Sequence, residues 1–179
     1  CDERGILFMV DEVQTGLART GRWFGYQHFD VPPDVVPMAK ALGHGVPIGA
    51  CWAREEVASA FKPGDHATTY GGQPLAASAA LAVLQTMEEI DAPALAVKAG
   101  STLSAALLGL DAVVAVRGLG LLLAAELREG LDAREVAAAA LDAGVVVNGV
   151  TARALRLAPP LTVSDGEIAR AVEILASIT

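Results

Sequence analysis

The hydrophobic pattern changes period several times along the chain. Ile6-Leu7-Phe8-Met9-Val10 is an unbroken apolar run and predicts a short, fully buried strand over 5–10. It runs into Asp11-Glu12. A loop follows from Gly16 to Gly21, carrying Arg19 and Thr20. Pro32-Pro33-Asp34 marks a turn, and Val35-Val36 starts another short strand. Lys40 comes next, between Met38-Ala39 and Ala41-Leu42, ahead of Gly43-His44-Gly45. The pattern then predicts a strand over 48–53, a short helix over 54–60 and a loop over 62–73 that ends in Thr68-Thr69-Tyr70-Gly71-Gly72. Pro74 suits the first turn of a long alanine-rich helix over 75–89.

The character changes near Asp91. A helix is expected over 92–110, then strands over 113–116 and 119–127 that turn at Arg117-Gly118. A helix over 132–143 is stopped by Gly144. Short strands follow over 145–147 and 154–157. Ser164, with Glu167 three residues on, caps a final helix in a capping-box pattern. The chain therefore reads as α/β in two parts, 1–91 and 92–179, the second a compact α+β unit. No internal repeat, low-complexity tail or long linker interrupts it.

A length of 179 residues suits one domain or parts of two. The chain starts at Cys1 and enters a strand-like run within a few residues, which suggests a fragment of a longer protein. The hydrophobic fraction of 53% is largely alanine. The apolar stretch from Leu119 is broken by Glu126 and Arg128, short of the ~18–20 residues a membrane span needs. Asp2, Glu3 and Arg4 precede the first apolar run, unlike a signal peptide. A net charge of −8 provides no footprint for nucleic acid; it suits a soluble protein that binds small charged molecules. Cys1 and Cys51 form no disulfide framework, in keeping with the cytoplasm. His28, His44 and His66 lack metal-ligand spacing, so no metal site is expected. Gly43-His44-Gly45 lacks the spacing of a nucleotide-binding loop.

Four positions point to chemistry. Asp11 could simply be a turn former, but it leaves an apolar strand, where an ionised carboxylate needs a cationic partner. A protonated pyridine nitrogen is such a partner. Lys40 could be a solvated lysine. Its neighbours are small, however, and a desolvated lysine becomes a nucleophile suited to imine chemistry. Lys40 follows Asp11 by 29 residues and by one more strand, so both are expected at one sheet edge. Thr68 to Gly72 is either an ordinary loop or a phosphate cradle of hydroxyls and backbone N–H groups. Arg156, in Leu155-Arg156-Leu157-Ala158-Pro159-Pro160-Leu161, is either a structural ion-pair partner or a fork for a carboxylate.

Taken together, these segments resemble the class III, ornithine-type aminotransferases. The matching pieces are Asp11-Glu12-Val13-Gln14-Thr15-Gly16, Arg19-Thr20-Gly21, Ala39-Lys40-Ala41-Leu42-Gly43, Pro47-Ile48-Gly49-Ala50, Thr69-Tyr70-Gly71-Gly72, Pro74-Leu75-Ala76 and Leu155 to Leu161. They occur in family order along nearly the whole chain. The resemblance implies the fold-type I pyridoxal-phosphate transferase fold. Residues 1–91 would be the C-terminal part of the large mixed-sheet domain, and 92–179 the small C-terminal domain. It implies that Asp11 pairs with the pyridine nitrogen of pyridoxal 5'-phosphate and that Gln14 bonds its phenolic oxygen. It also implies that Lys40 forms the Schiff base and shuttles the proton, that Thr69 binds the phosphate of the neighbouring subunit's cofactor, and that Arg156 holds the α-carboxylate of glutamate or 2-oxoglutarate.

The implied reaction moves the terminal amino group of a basic amino acid such as N-acetylornithine to 2-oxoglutarate. That is a step of arginine biosynthesis, carried out by a cytoplasmic homodimer with its site at the subunit interface. Ornithine, succinylornithine or 4-aminobutyrate are alternative donors. A glutamate-semialdehyde aminomutase and a non-catalytic fragment are alternatives of another class. His44, Gln73 and Thr68 depart from the family's usual Gly, Asn and Ser. The family's glycine-rich phosphate loop, stacking aromatic and arginine-pairing glutamate lie outside these residues, so the isolated chain is expected to be inactive and to bind cofactor poorly.

Overall fold

The computed structural model describes all 179 residues, in two compact units. The first comprises Cys1–Ala18 and Arg22–Asp91; the second comprises Ala92–Thr179 together with Arg19–Gly21.

In the first unit, β1 (Val35–Met38) pairs antiparallel with β2 (Ala50–Ala53), Val35 opposite Ala53 and Met38 opposite Ala50. The segment before Asp11 runs parallel to β1. Asp34 N–H donates to Phe8 O at 2.8 Å, Val10 N–H to Val35 O at 3.0 Å and Glu12 N–H to Pro37 O at 3.1 Å. This is extended chain rather than the buried strand expected over 5–10, because only Met9 and Val35 form a ladder bridge. Ile6, Leu7 and Met9 are exposed. A continuous apolar run predicts burial only when both flanks are covered, and in this chain the segment's one ladder partner is β1. α1 (Glu55–Ala58) is a single turn, and α2 (Pro74–Glu89) begins with Pro74 in its first turn, as the sequence indicates. Val36, Leu42, Ala76, Ala80 and Met87 are buried in this unit, and α2 packs on the 3-10 turn Lys40–Leu42.

The second unit is a two-layer α/β sandwich. Its four-stranded antiparallel sheet has the order β3 (Val113–Leu119), β4 (Leu122–Leu127), β6 (Ala154–Leu157), β5 (Asn148–Gly149). α3 (Ala92–Leu108), α4 (Ala133–Asp142) and α5 (Asp165–Ile178) supply the other layer. Period-two alternation turns Leu123, Ala125 and Leu127 inward. There they meet Leu103 and Leu107 of α3, Val136 of α4, Leu155 and Leu157 of β6 and Leu175 of α5. The hairpin turns at Gly120-Leu121, not at Arg117-Gly118. Gly120 has φ +53, and a Cβ there would stand 2.6 Å from the Thr20 carbonyl carbon, so the turn is fixed by the close approach of Arg19–Gly21. The short strand expected at 145–147 forms instead at Asn148–Gly149. Ser164 closes its capping box with Glu167: Ser164 N–H donates to Oε2 at 2.8 Å, and Glu167 N–H to Oγ at 3.3 Å.

Candidate active site

Asp11 and Glu12 lie side by side and meet opposite fates. Asp11 is exposed; its Oδ1 accepts from Val13 N–H at 2.9 Å, a local turn bond. Glu12 is 1% exposed. Its carboxylate accepts from Gly25 N–H at 2.9 Å, from Tyr26 N–H at 2.8 Å and from the Thr15 hydroxyl. These donors compensate the burial of a charge. The expectation that Asp11 sits near the core is therefore corrected: the pleat turns Glu12 inward and leaves Asp11 at the surface. Gln14 follows in the same turn, half-buried.

Asp11 leaves the extended segment level with the middle of β1, and Lys40 lies two residues beyond the end of β1. Two neighbouring parallel stretches thus deliver a carboxylate and an amine at the same, C-terminal end, where open α/β sheets bind ligands. Lys40 is exposed rather than desolvated within this chain. Its backbone is unusual: φ is +45, in the left-handed region that a β-substituted residue enters at a cost of about 1–3 kcal/mol. Such outliers cluster at functional sites. Ala39 before it is extended, and the single turn Lys40–Leu42 after it is held by Leu42 N–H to Ala39 O at 3.0 Å. Buried Leu42 anchors that turn.

Thr69 lies in the bend that leads into α2 and is exposed. The bend is tight, since a Cβ on Gly71 would fall 2.1 Å from Thr68 Cγ2. α2 therefore links the Thr69 bend to the Lys40 turn on which it packs.

Arg156 belongs to the second unit. It lies on β6 between buried Leu155 and Leu157, so its side chain leaves the sheet on the face away from the core. Cross-strand register sets it in a row with Ala124 of β4, Arg117 of β3 and Asn148 of β5. Its Nη2 donates to Asn148 Oδ1 at 3.2 Å.

The patterns read from the sequence missed two residues. Glu12 is one; besides the nearby Thr15 hydroxyl, two of its partners are backbone N–H groups 13 and 14 residues downstream, which leave no trace in residue identity. Arg19 is the other. It is part of the second unit, where its Nη1 donates to Leu121 O and Pro159 O, and its carbonyl accepts from Leu121 N–H at 3.0 Å. Burial lowers its pKa from the usual arginine value.

Solved structures share this α/β fold. The chain superposes on acetylornithine aminotransferase from Elizabethkingia anophelis with a TM-score of 0.87 at 33% identity, covering 99% of this chain and 46% of that one. Ornithine aminotransferase from Toxoplasma gondii gives 0.89 at 33% identity, covering 99% and 44%. The chain belongs to the class-III aminotransferase family, whose model matches residues 1–179. Among curated relatives it is similar to the acetylornithine aminotransferase of Corynebacterium efficiens, 46% identical over 178 residues, 99% of this chain and 44% of the relative. It thus spans less than half the length of that relative. No helix is long and apolar enough to cross a membrane.

Proposed function

We propose that this chain is part of a pyridoxal-phosphate-dependent aminotransferase that moves the terminal amino group of N-acetylornithine to 2-oxoglutarate, a step of arginine biosynthesis. The observation that carries the reading is the shared exit of Asp11 and Lys40 from two parallel stretches in the first unit. The curated relatives named acetylornithine aminotransferase, at 46% and 41% identity in Corynebacterium efficiens and Archaeoglobus fulgidus, support the choice of donor.

The donor set fits the cofactor. Asp11 keeps Oδ2 beyond its turn bond, the Lys40 amine is exposed, and Thr69 stands in a bend closed by Gly71-Gly72. When bound, the cofactor supplies an electron sink for the carbon that loses its proton. Asp11 would hold the proton on the pyridine nitrogen, and Gln14 would bond the phenolic oxygen. Lys40 would anchor the aldehyde at rest and carry the proton during transfer. Thr69 would donate its hydroxyl to the phosphate; its exposure suits service to the neighbouring subunit of a homodimer. Arg156 would bind the substrate α-carboxylate with its fork of N–H donors.

The similarity to ornithine aminotransferase from Toxoplasma gondii favours one second reading, with ornithine as donor. Turnover of the complete protein with N-acetylornithine, ornithine, succinylornithine and 4-aminobutyrate, each with 2-oxoglutarate, decides between them. The proposal expects the highest kcat/KM for N-acetylornithine; a preference for any other donor overturns it.

A further inference from the structure

We propose that Asn148 is a positioning residue that sets the Arg156 guanidinium for a substrate carboxylate through a neutral contact. The inference rests on the reading of Arg156 given above and adds a residue to it. The row Arg117, Ala124, Arg156, Asn148 crosses the sheet on the face away from the core. Arginine has donors only, so the amide oxygen of Asn148 must face Nη2, and the contact is 3.2 Å. One neutral acceptor occupies one of the five guanidinium N–H groups. It orients the fork without neutralising it.

The treatment of neighbouring cations differs. Arg153, three residues earlier, is paired with Glu126 at 3.3 Å and Glu129 at 3.8 Å, and Arg117 with Glu126 at 3.7 Å. Arg156 takes part in no ion pair within this chain; its partner is an amide. On the other side of Arg156 the row offers Ala124, too short to reach across the guanidinium.

The backbone of Asn148 is pinned on both sides. Val147 is buried in the core. A Cβ on Gly149 would lie 2.7 Å from Ala133 O and 2.8 Å from Arg134 N, so β5 runs hard against the start of α4. An acceptor so fixed restricts a side chain that would otherwise sample many rotamers. An Asp in its place would pair with Arg156 and compete with the incoming carboxylate; an Ala would leave the fork free to wander.

The test uses the complete holoenzyme with Asn148→Ala, Asn148→Asp and Arg156→Ala. Asn148 is exposed, so neither replacement buries a group. The expected result for Asn148→Ala is a KM for 2-oxoglutarate raised about two- to tenfold, the loss falling on KM rather than kcat. Asn148→Asp raises KM further still. Calorimetric Kd values for glutarate, a dicarboxylate without the reacting group, follow the same order. A purely structural Asn148 would shift the melting temperature and leave that order absent. If Arg156→Ala weakens glutarate and both Asn148 variants bind it like wild type, the Asn148 proposal is overturned alone. It is also overturned if Asn148→Asp binds as tightly as Asn148→Ala. If Arg156→Ala itself binds glutarate normally, the carboxylate role of Arg156 fails, and the Asn148 proposal with it.

Discussion

The Glu12 carboxylate accepts the Tyr26 amide N–H at 2.8 Å across 14 residues of chain, while Asp11 beside it stays at the surface. One carboxylate of the pair ties the loop together, and the other is the one proposed above to meet the cofactor. Glu12→Gln would replace an acceptor oxygen by an NH₂ facing an N–H donor in a buried site. It should cost about 2–4 kcal/mol, read as a lower urea midpoint. Asp11→Asn should change stability by less than about 0.5 kcal/mol and instead weaken retention of the cofactor on dialysis. Equal stability loss in both variants would show that the division of labour is wrong.

Arg19 is a half-buried cation whose Nη1 donates to two carbonyl oxygens. Both bonds leave Nη1, and the lysine side chain ends one atom short of that position, so Arg19→Lys should cost about 1–2 kcal/mol. Burial lowers the Arg19 pKa, so the stability linked to its titration would rise as pH rises through the depressed value. That window lies far above neutrality, because arginine stays charged in proteins. The Arg19→Lys loss in chemical denaturation should therefore be the same at pH 6 and pH 8.

Glu167 sits below the usual carboxylate value because Ser164 donates to it from both backbone N–H and hydroxyl. A depressed acid contributes stability that is present above its unfolded value, near 4.5, and lost as pH falls through the folded one. Ser164→Ala should cost about 1 kcal/mol at pH 7. Glu167→Gln should flatten the fall in stability between neutral and acid pH. An unchanged acid limb in Glu167→Gln would show that the capping box does not carry this dependence.

Much of this was legible in residue identity. Pro74 and the Ser164-to-Glu167 spacing mark helix starts because capping is local chemistry, settled within one turn. Arg156 between two leucines stands out as a lone cation in an apolar strand, and register then turns it away from the core. The hairpin turn lies three residues beyond the position the sequence predicts: both Gly118 and Gly120 adopt positive φ, and the choice between them depends on Arg19–Gly21 packing against Gly120. The first apolar run predicts burial because composition reports hydrophobicity and not what lies on each flank. The contacts of Glu12, Arg19 and Asn148 are not legible in residue identity for one reason. Apart from Thr15 beside Glu12, their partners are main-chain groups or a side chain on another strand, and sequence shows neither until register is known.

Lys40, with φ +45 two residues beyond β1, is the lysine proposed to hold the cofactor. The chain has two other lysines, Lys62 and Lys98, so the assignment can be read directly. Borohydride reduction of the complete holoenzyme, followed by proteolysis and mass mapping, should find the reduced cofactor adduct on Lys40, and Lys40→Ala should abolish it. An adduct on Lys62, Lys98 or a lysine elsewhere in the complete protein, with Lys40 unmodified, would contradict the account.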